Sequence, residues 1–312
     1  MQSLWMLFAS FTFSIMSVCV KLASATYSTS EIVLYRGFVG TLFLAGFITL
    51  QGGGFKTRFP MQHLWRGVVG VIALWMWFYA IARLPIATGM TLNYTSPIWI
   101  AIFLFGVNWW RGSSRFEWGL AIAVLFSFIG VTLLLRPSVH SNQGMAAAIG
   151  IASGMLSALA YLQVRKLGQM GEPEYRVVFY FSLTGLITGV LGNFAESGFT
   201  GVPALTPHAH TAKGLFLLLA IGITATVAQI AMTRAYRLGK TLVTANLQYT
   251  GIVFSSVWGV LLWGDLLDWM GWAGIAIILA SGSAATFYNA RNAAAPPKPS
   301  VNEANDPIAT EL

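Results

Sequence analysis

The segments Leu92-Asn93-Tyr94-Thr95-Ser96 and Leu247-Gln248-Tyr249-Thr250-Gly251 carry one short pattern in the two halves of the chain. A single match of this kind could arise by chance, but further matches follow in the same order along both halves. They are Lys21-Leu22 with Lys166-Leu167, Arg83-Leu84-Pro85 with Arg237-Leu238-Gly239, and Gly119 and Gly130 with Gly271 and Gly282. The sequence therefore predicts two related halves that fold in the same way.

The composition of the chain points to a membrane. Of its 312 residues, 56% are apolar and 9% are charged, and the mean hydropathy is +0.69. A soluble domain carries about 25% charged residues, so this chain has too little polar surface to coat a water-soluble globule. The composition excludes a soluble enzyme and a disordered chain. The net charge of +8 is spread between apolar runs, which argues against nucleic acid as a partner.

Runs of about 20 mainly apolar residues are long enough to cross a bilayer as helices. Turn residues and charges separate ten such runs, at residues 3–24, 30–50, 64–84, 87–110, 116–135, 144–165, 176–195, 213–234, 241–264 and 269–290. We therefore expect an all-α integral membrane protein with ten transmembrane helices. Residues 1–137 form the first five-helix repeat, residues 144–290 form the second, and residues 291–312 form a flexible cytoplasmic tail.

The number of spans in each half determines how the halves are related. Five is odd, so the second half crosses the membrane in the opposite sense to the first. Inverted repeats of this kind are typical of secondary transporters, in which the substrate lies near the midplane between the halves. With a cytoplasmic N-terminus, 13 of the 18 Lys and Arg residues lie in cytoplasmic segments, four lie outside, and Arg36 lies within a span. This bias predicts that both termini are cytoplasmic.

On these residues the chain resembles the ten-helix EamA-type branch of the drug/metabolite transporter superfamily. The resemblance covers about residues 1–290, in two copies. It rests on Val20-Lys21-Leu22, Glu31 to Arg36, Leu84-Pro85-Ile86-Ala87, Tyr94-Thr95-Ser96-Pro97, Arg237 through Tyr249 and Trp263-Gly264-Asp265. It implies a carrier whose cargo is an amino acid, a nucleotide-like metabolite, a sugar, an organic anion or a drug.

Two positions depart from the family pattern. Asp265 stands where Glu is common. Gly251-Ile252 replaces the proline of span nine, whereas Pro97 is present in span four. We therefore expect the helix to be broken asymmetrically between the two halves.

Charged residues inside a span cost at least about 2.5–3.5 kcal/mol on insertion scales and are therefore functional candidates. Arg36 lies about two turns into span two, and Lys21 lies near the outer end of span one. No Asp or Glu lies in the central part of any span, so the deep charges are positive. A cationic site favours an anion or a carboxylate-bearing zwitterion. The alternative is that Arg36 pairs with Glu31 or with helix carbonyls and only supports the structure.

Uncharged polar residues form the second group of candidates. Amide and hydroxyl groups at membrane depth need partners, either in a cavity with substrate and water or on neighbouring helices. The repeat makes Asn93 and Tyr94 equivalent to Gln248 and Tyr249, which favours the cavity for these four. The complete predicted substrate-binding set is Arg36, Asn93, Tyr94, Gln248, Tyr249, Gln163, Gln229, Tyr79, Tyr180 and Lys21.

These observations predict a secondary transporter for a small organic metabolite, either an amino acid or another carboxylate-bearing anion or zwitterion. It would work by alternating access, as an exporter or an exchanger. The alternative cargo is a lipophilic cationic drug, which Arg36 opposes. A channel is disfavoured because the polar residues are scattered through an inverted repeat.

An enzyme is not expected. The sequence lacks His-Glu-x-x-His and Gly-x-Ser-x-Gly motifs, and all four histidines (His63, His140, His208 and His210) fall in predicted loops. We expect no cofactor and no metal site. The expected partners are the small-molecule substrate and the lipid bilayer, without nucleic acid, and the chain is expected to be a monomer or a homodimer. Its short loops favour a bacterial inner membrane, in which it is a multi-pass protein.

Overall fold

The computed structural model describes residues 2–84, 86–110, 112, 117–137, 143–200, 211–264 and 266–294. These residues form α-helices and short connections, with one turn of 3-10 helix at Gln2–Leu4. The helices are α1 (Trp5–Ala23), α2 (Thr29–Leu50), α3 (Pro60–Arg83), α4 (Ile86–Asn93), α5 (Ser96–Trp110), α6 (Trp118–Leu135), α7 (Gly144–Gln169), α8 (Glu174–Thr200), α9 (Ala212–Leu238), α10 (Thr241–Leu247), α11 (Thr250–Trp263) and α12 (Trp269–Ala294). The chain is therefore an all-α protein over its described part.

Eight of the described helical segments are long and apolar enough to cross a membrane. They correspond to predicted spans one, two, four to eight and ten. Predicted spans 64–84 and 241–264 coincide with α3 and with α10 and α11. α12 continues to Ala294, past the predicted start of the tail at 291. The remaining tail residues, together with Pro85, Asp265, His140, His208 and His210, lie outside the described residues.

The two repeated segments interrupt their helices in the same way. α4 ends at Asn93 and α5 begins at Ser96, while α10 ends at Leu247 and α11 begins at Thr250. At each break a threonine hydroxyl donates to the carbonyl three residues earlier, from Thr95 to Leu92 at 2.6 Å and from Thr250 to Leu247 at 2.7 Å. The expected asymmetry is therefore wrong. The second half breaks its helix without a proline, and the threonine bonds a carbonyl beside the break.

Helices of the first half pack mainly on helices of the second half. The principal pairs are α1 with α9, α2 with α8, α3 with α7, and α6 with α12. Small residues allow the close approach. A Cβ at Gly130 would lie 2.7 Å from the Gly274 carbonyl oxygen, so α6 and α12 meet backbone to backbone. This packing leaves α4, α10 and the two breaks at the centre of the bundle.

Candidate functional site

A cavity of about 230 Å³ lies at the centre of the bundle, where the two helix breaks meet. Asn93 and Tyr94 line it from the first break, and Gln248 and Gly251 line it from the second. α1, α2, α3, α7, α8 and α9 contribute most of the remaining walls, and Met90 of α4 and Ser255 of α11 complete them. The repeated pattern that marks the two halves of the sequence is therefore brought together at one site.

Five of the ten predicted site residues line this cavity. They are Arg36, Asn93, Tyr94, Gln229 and Gln248. The side chains from the breaks are held in place by helices of the second half. The Asn93 amide donates to the hydroxyl of Ser153 at 3.1 Å, and the Gln248 amide donates to the Tyr161 hydroxyl at 3.2 Å. The structure therefore orients both amides at the edge of the cavity.

Tyr249 lies behind the cavity wall. Its side chain is fully buried, and its ring centroid is 6.2 Å from that of Tyr94. The Tyr249 hydroxyl has no hydrogen-bond partner among the described residues. Gln248 and Tyr249 are adjacent on a short helical turn, so their side chains point in different directions, and only that of Gln248 reaches the cavity.

The other four predicted residues lie away from the cavity. Gln163 donates to the side-chain and backbone oxygens of Gln62, and the Tyr180 hydroxyl donates to the Phe55 carbonyl at 3.0 Å. At the predicted outer face, the Tyr79 ring lies 3.8 Å below the guanidinium of Arg83. Lys21 Nζ lies 3.8 Å from the centroid of Trp263. These four side chains have protein partners that do not line the cavity.

Arg66 is a cavity residue that the sequence analysis missed. It is the third residue of the predicted span 64–84, but the charge count places it among the 13 cytoplasmic Lys and Arg residues. α3 begins at Pro60 and carries Arg66 on its second turn, where the side chain is only 3% exposed. A signal was present in the sequence. Arg66, Gly70, Ala73, Leu74 and Trp77 are spaced as one helical face, and all five line the cavity.

The cavity carries two positive charges on one side. The guanidinium carbons of Arg66 and Arg36 lie 4.0 and 5.8 Å from the centroid of the Phe181 ring. Within the described part of the chain, the ion pairs join other residues: His63 and Arg176 with Glu172, Arg136 with Asp268, Arg237 with Glu174, and Lys240 with Glu117. Neither cavity arginine has a carboxylate partner there. The alternative that Glu31 pairs with Arg36 is not seen, and the Glu31 carboxylate accepts from the Ser28 backbone at 2.8 Å.

Part of the cavity wall is apolar. Met6, Phe13, Met16, Met90 and Met232 all face it. Flexible thioether side chains adapt to irregular ligand shapes. The site can therefore hold a molecule that has both an anionic part and an apolar part. Among the described residues no group of three or more His, Cys, Asp and Glu side chains could hold a metal ion.

A second cluster of charged residues lies at the cytoplasmic end predicted for α3 and α8. His63 was expected in a loop, but it lies in α3, is almost fully buried, and has Nε2 3.4 Å from Glu172 Oε2. Glu172 also accepts from Thr57 at 2.7 Å and from Arg176 at 3.1 Å. Burial alone would raise the pKa of the Glu172 carboxyl, but the bonds from Thr57 and Arg176 and the nearby positive charges outweigh it and lower that pKa.

Known proteins are similar to this chain in sequence and in fold. Residues 1–136 match the model of the EamA-like transporter family. A pseudopaline exporter (CntI) of Pseudomonas aeruginosa is 32% identical over 271 residues, which cover 87% of this chain and 90% of the relative. A riboflavin transporter of Rhizobium johnstonii is 26% identical over 89% of this chain and 88% of its own length.

One solved crystal structure, 16% identical in sequence, superposes with a TM-score of 0.77 over 92% of this chain and 98% of that chain. At this identity the likeness shows the fold alone. The identity and coverage of the pseudopaline exporter are sufficient to assign the family. The predicted resemblance is therefore confirmed, and the chain is a multi-pass membrane protein that belongs to the EamA-like transporter family of the drug/metabolite transporter superfamily.

Proposed function

We propose that this protein is a secondary transporter that moves a small carboxylate-bearing metabolite across the membrane by alternating access. The observation that carries the proposal is the central cavity with two guanidinium groups and no carboxylate partner for either among the described residues. Positive charge at membrane depth is costly unless it is compensated. An anionic cargo would compensate it each time the site is occupied.

We infer that the chain crosses the membrane ten times as two inverted repeats, residues 1–137 and 144–290, with both termini in the cytoplasm. The helix contacts support this arrangement. When each helix is replaced by its equivalent in the other half, every principal helix pair becomes a pair that is also in contact. The α1–α9 pair corresponds to the α7–α3 pair, and the α2–α8 and α6–α12 pairs map on themselves. The matched threonine bonds at the two breaks support it as well. Rocking of one repeat against the other would expose the cavity to each side in turn.

We propose export or exchange as the direction of transport, in the inner membrane of a bacterium. One relative is named as an exporter, and two others are named as riboflavin transporters, so small organic molecules are the cargo class that the relatives support. The chain needs no nucleic acid for this activity, and a monomer or a homodimer could perform it.

A lipophilic cation is the second candidate cargo. The apolar and thioether side chains of the cavity, among them Phe13, Met16 and Met90, favour such a molecule. The two guanidinium groups oppose it, because like charges repel strongly where little water screens them.

The experiment that separates the two cargoes is a melting curve of the purified protein with a panel of carboxylates, amino acids, nucleotide-like metabolites and lipophilic cations. A ligand at 100 times its Kd stabilises the folded form by about 2.7 kcal/mol. We expect carboxylates to raise Tm and Arg36→Gln to reduce that rise, because one of the two cavity arginines is then missing. Stabilisation by lipophilic cations alone, unchanged in Arg36→Gln, would contradict the proposal.

A further inference from the structure

We propose that Arg36 and Arg66 form a two-point anion clamp, so that the cargo carries at least two separate anionic groups. This inference rests on the proposed function and narrows its substrate class. It places Arg36 on α2, Arg66 on α3 and Phe181 on α8 in one recognition unit that spans the two halves of the chain.

The distances support one ligand for both arginines. Their guanidinium carbons lie 5.8 and 4.0 Å from the same Phe181 ring centroid, so their separation cannot exceed the sum of these distances. Both side chains line the same cavity of about 230 Å³. A small organic molecule is long enough to contact both, and the Phe181 ring, which lines the same cavity, offers an apolar surface to its carbon skeleton.

Arg66 is incompletely satisfied by the protein. It is 3% exposed, and its Nε has no hydrogen-bond partner among the described residues. The Phe181 ring contributes a cation–π contact to Arg66 but does not accept the planar fork of N–H donors. A guanidinium is suited to bidentate bonds with a carboxylate or phosphate. The incompletely satisfied guanidinium of Arg66, which lines the cavity, therefore favours a ligand with an anionic group.

The two charges discriminate between classes of anion. A monocarboxylate carries one negative charge, so it would neutralise one of the two guanidinium charges and leave a net positive charge in the cavity. An amino acid with one carboxylate would in addition bring its ammonium group near the second positive charge. A dicarboxylate or a larger polycarboxylate satisfies both arginines at once. The clamp therefore favours di- and polycarboxylates over the single-carboxylate amino acids that the sequence alone left open.

The test compares two ligands of the same size that differ in one charge. Succinate has two carboxylates, and succinamate has an amide in place of one of them. Binding of each to the purified full chain is measured by titration calorimetry at constant ionic strength. We expect succinate to bind about tenfold more tightly or better, which is about 1.4 kcal/mol or more, because a hydrogen bond from a guanidinium to a carboxylate is stronger than one to a neutral amide. Propane-1,2,3-tricarboxylate should bind at least as tightly as succinate.

Substitutions of the two arginines test whether they cause the preference for succinate over succinamate. Arg66→Gln and Arg36→Gln should each reduce the ratio of the two affinities to near one while succinamate still binds, and the double variant should bind neither ligand. Arg83→Gln is the matched control, because Arg83 lies on the same helix as Arg66 and stacks on Tyr79 away from the cavity. It should leave the ratio unchanged. If Arg66→Gln fails to fold, Arg66→Lys replaces it in the test. Lysine keeps the positive charge without the planar set of guanidinium N–H donors, so the ratio of the succinate and succinamate affinities should lie between that of the unmodified protein and one.

Equal binding of succinate and succinamate by the unmodified protein would overturn the clamp. So would a ratio that neither arginine variant changes. If succinamate binds and Arg36→Gln abolishes that binding, the proposed carboxylate carrier survives and only the two-point clamp falls. If neither ligand binds and lipophilic cations do, the clamp and the proposed function fall together.

Discussion

Gly70 keeps the space in which the Arg66 guanidinium lies. The two residues are one turn apart on α3, and a Cβ at position 70 would overlap Arg66 Nη1 and lie 3.1 Å from Phe181 Cε2. Glycine in a helix interior costs roughly 0.5–1 kcal/mol relative to alanine. At this position the missing Cβ lets the Arg66 side chain lie against the helix and face the cavity, and this gain offsets the cost of the glycine.

Gly70→Ala should therefore weaken anion binding with little effect on folding. The overlapping atom belongs to the end of a flexible side chain, so the arginine can move away, but it then leaves its position over Phe181. We expect the Kd for succinate to rise by about tenfold, the value of one charge-assisted interaction. The Tm without ligand should change little. Gly106→Ala on α5, where the Cβ meets nothing within 4 Å, is the control and should leave the Kd unchanged.

At the scale of elements, α2 and α8 approach so closely that their contact includes backbone atoms. A Cβ at Gly37 would overlap the Leu186 backbone nitrogen and lie 2.8 Å from the Leu186 Cα. Backbone atoms cannot rotate out of the way as a side chain can. The same helix pair carries Arg36 and Phe181, so its spacing also determines the geometry of the cavity.

Gly37→Ala should destabilise the protein by about 1–3 kcal/mol, the usual cost of overpacking a tight contact. Gly46→Ala tests the alternative that any alanine in α2 has this effect. Its Cβ would meet nothing within 4 Å, so we expect it to be neutral or to stabilise the helix by about 0.5–1 kcal/mol. Thermal unfolding of both variants in one detergent measures the difference. Equal Tm values for the two variants would contradict the close contact.

Glu172 links three other parts of the chain. It accepts from Thr57 in the α2–α3 connection and from Arg176 in α8, and it lies beside His63 in α3. The folded state lowers the Glu172 pKa below its ordinary value of 4.5. The ionised carboxylate therefore contributes stability above that pH, and the contribution is lost as pH falls below it through the lower folded pKa.

Acid should therefore reduce Tm more steeply in the unmodified protein than in Glu172→Gln, which cannot ionise. The two Tm curves should differ most at neutral pH and converge as the pH falls below about 4.5, the unshifted pKa of the group. A constant Tm difference across this range would mean that the Glu172 charge contributes nothing. Tyr180, whose ring centroid is 4.6 Å from that of His63, offers a control through Tyr180→Phe, which keeps the ring and leaves the carboxylate in place.

At the scale of the whole molecule, the proposed inverted repeat predicts that equivalent positions lie on opposite sides of the membrane. Ser24 and Gln169 are such a pair, because each lies three residues after the lysine of the matched Lys-Leu dipeptides. Both side chains are exposed. In a parallel repeat, the two positions would lie on the same side.

Single-cysteine labelling checks this arrangement. With Cys19→Ser as background, Ser24→Cys should react with a membrane-impermeant maleimide in intact cells, and Gln169→Cys should react only after permeabilisation. Gly54→Cys and Lys213→Cys extend the test to the cytoplasmic and outer sides of other connections. Labelling of Ser24→Cys and Gln169→Cys from the same side would rule out inversion, and the reverse of the expected pattern would place the termini outside.

The sequence alone was sufficient for the class of protein and for the family. Low charge, apolar runs and a repeated pattern are properties of the chain itself, and they predicted an all-α membrane protein related to EamA-type transporters, which the relatives confirm. The repeat also identified Asn93, Tyr94 and Gln248, which meet at the cavity. Here the chain is informative because hydropathy and length decide which segments enter the bilayer, before any helix packs on another.

Only the tertiary structure decided which face of each helix meets the cavity. Consecutive residues on a helix point about 100° apart, so Gln248 reaches the cavity while the adjacent Tyr249 packs behind it. Arg66 was assigned to the cytoplasm from its position near the start of a span, yet the packing of α3 on α7 and α8 turns it inward. The rotation of a helix about its axis depends on the side chains of its neighbours. That information is held by residues far apart in the sequence, and folding brings them together.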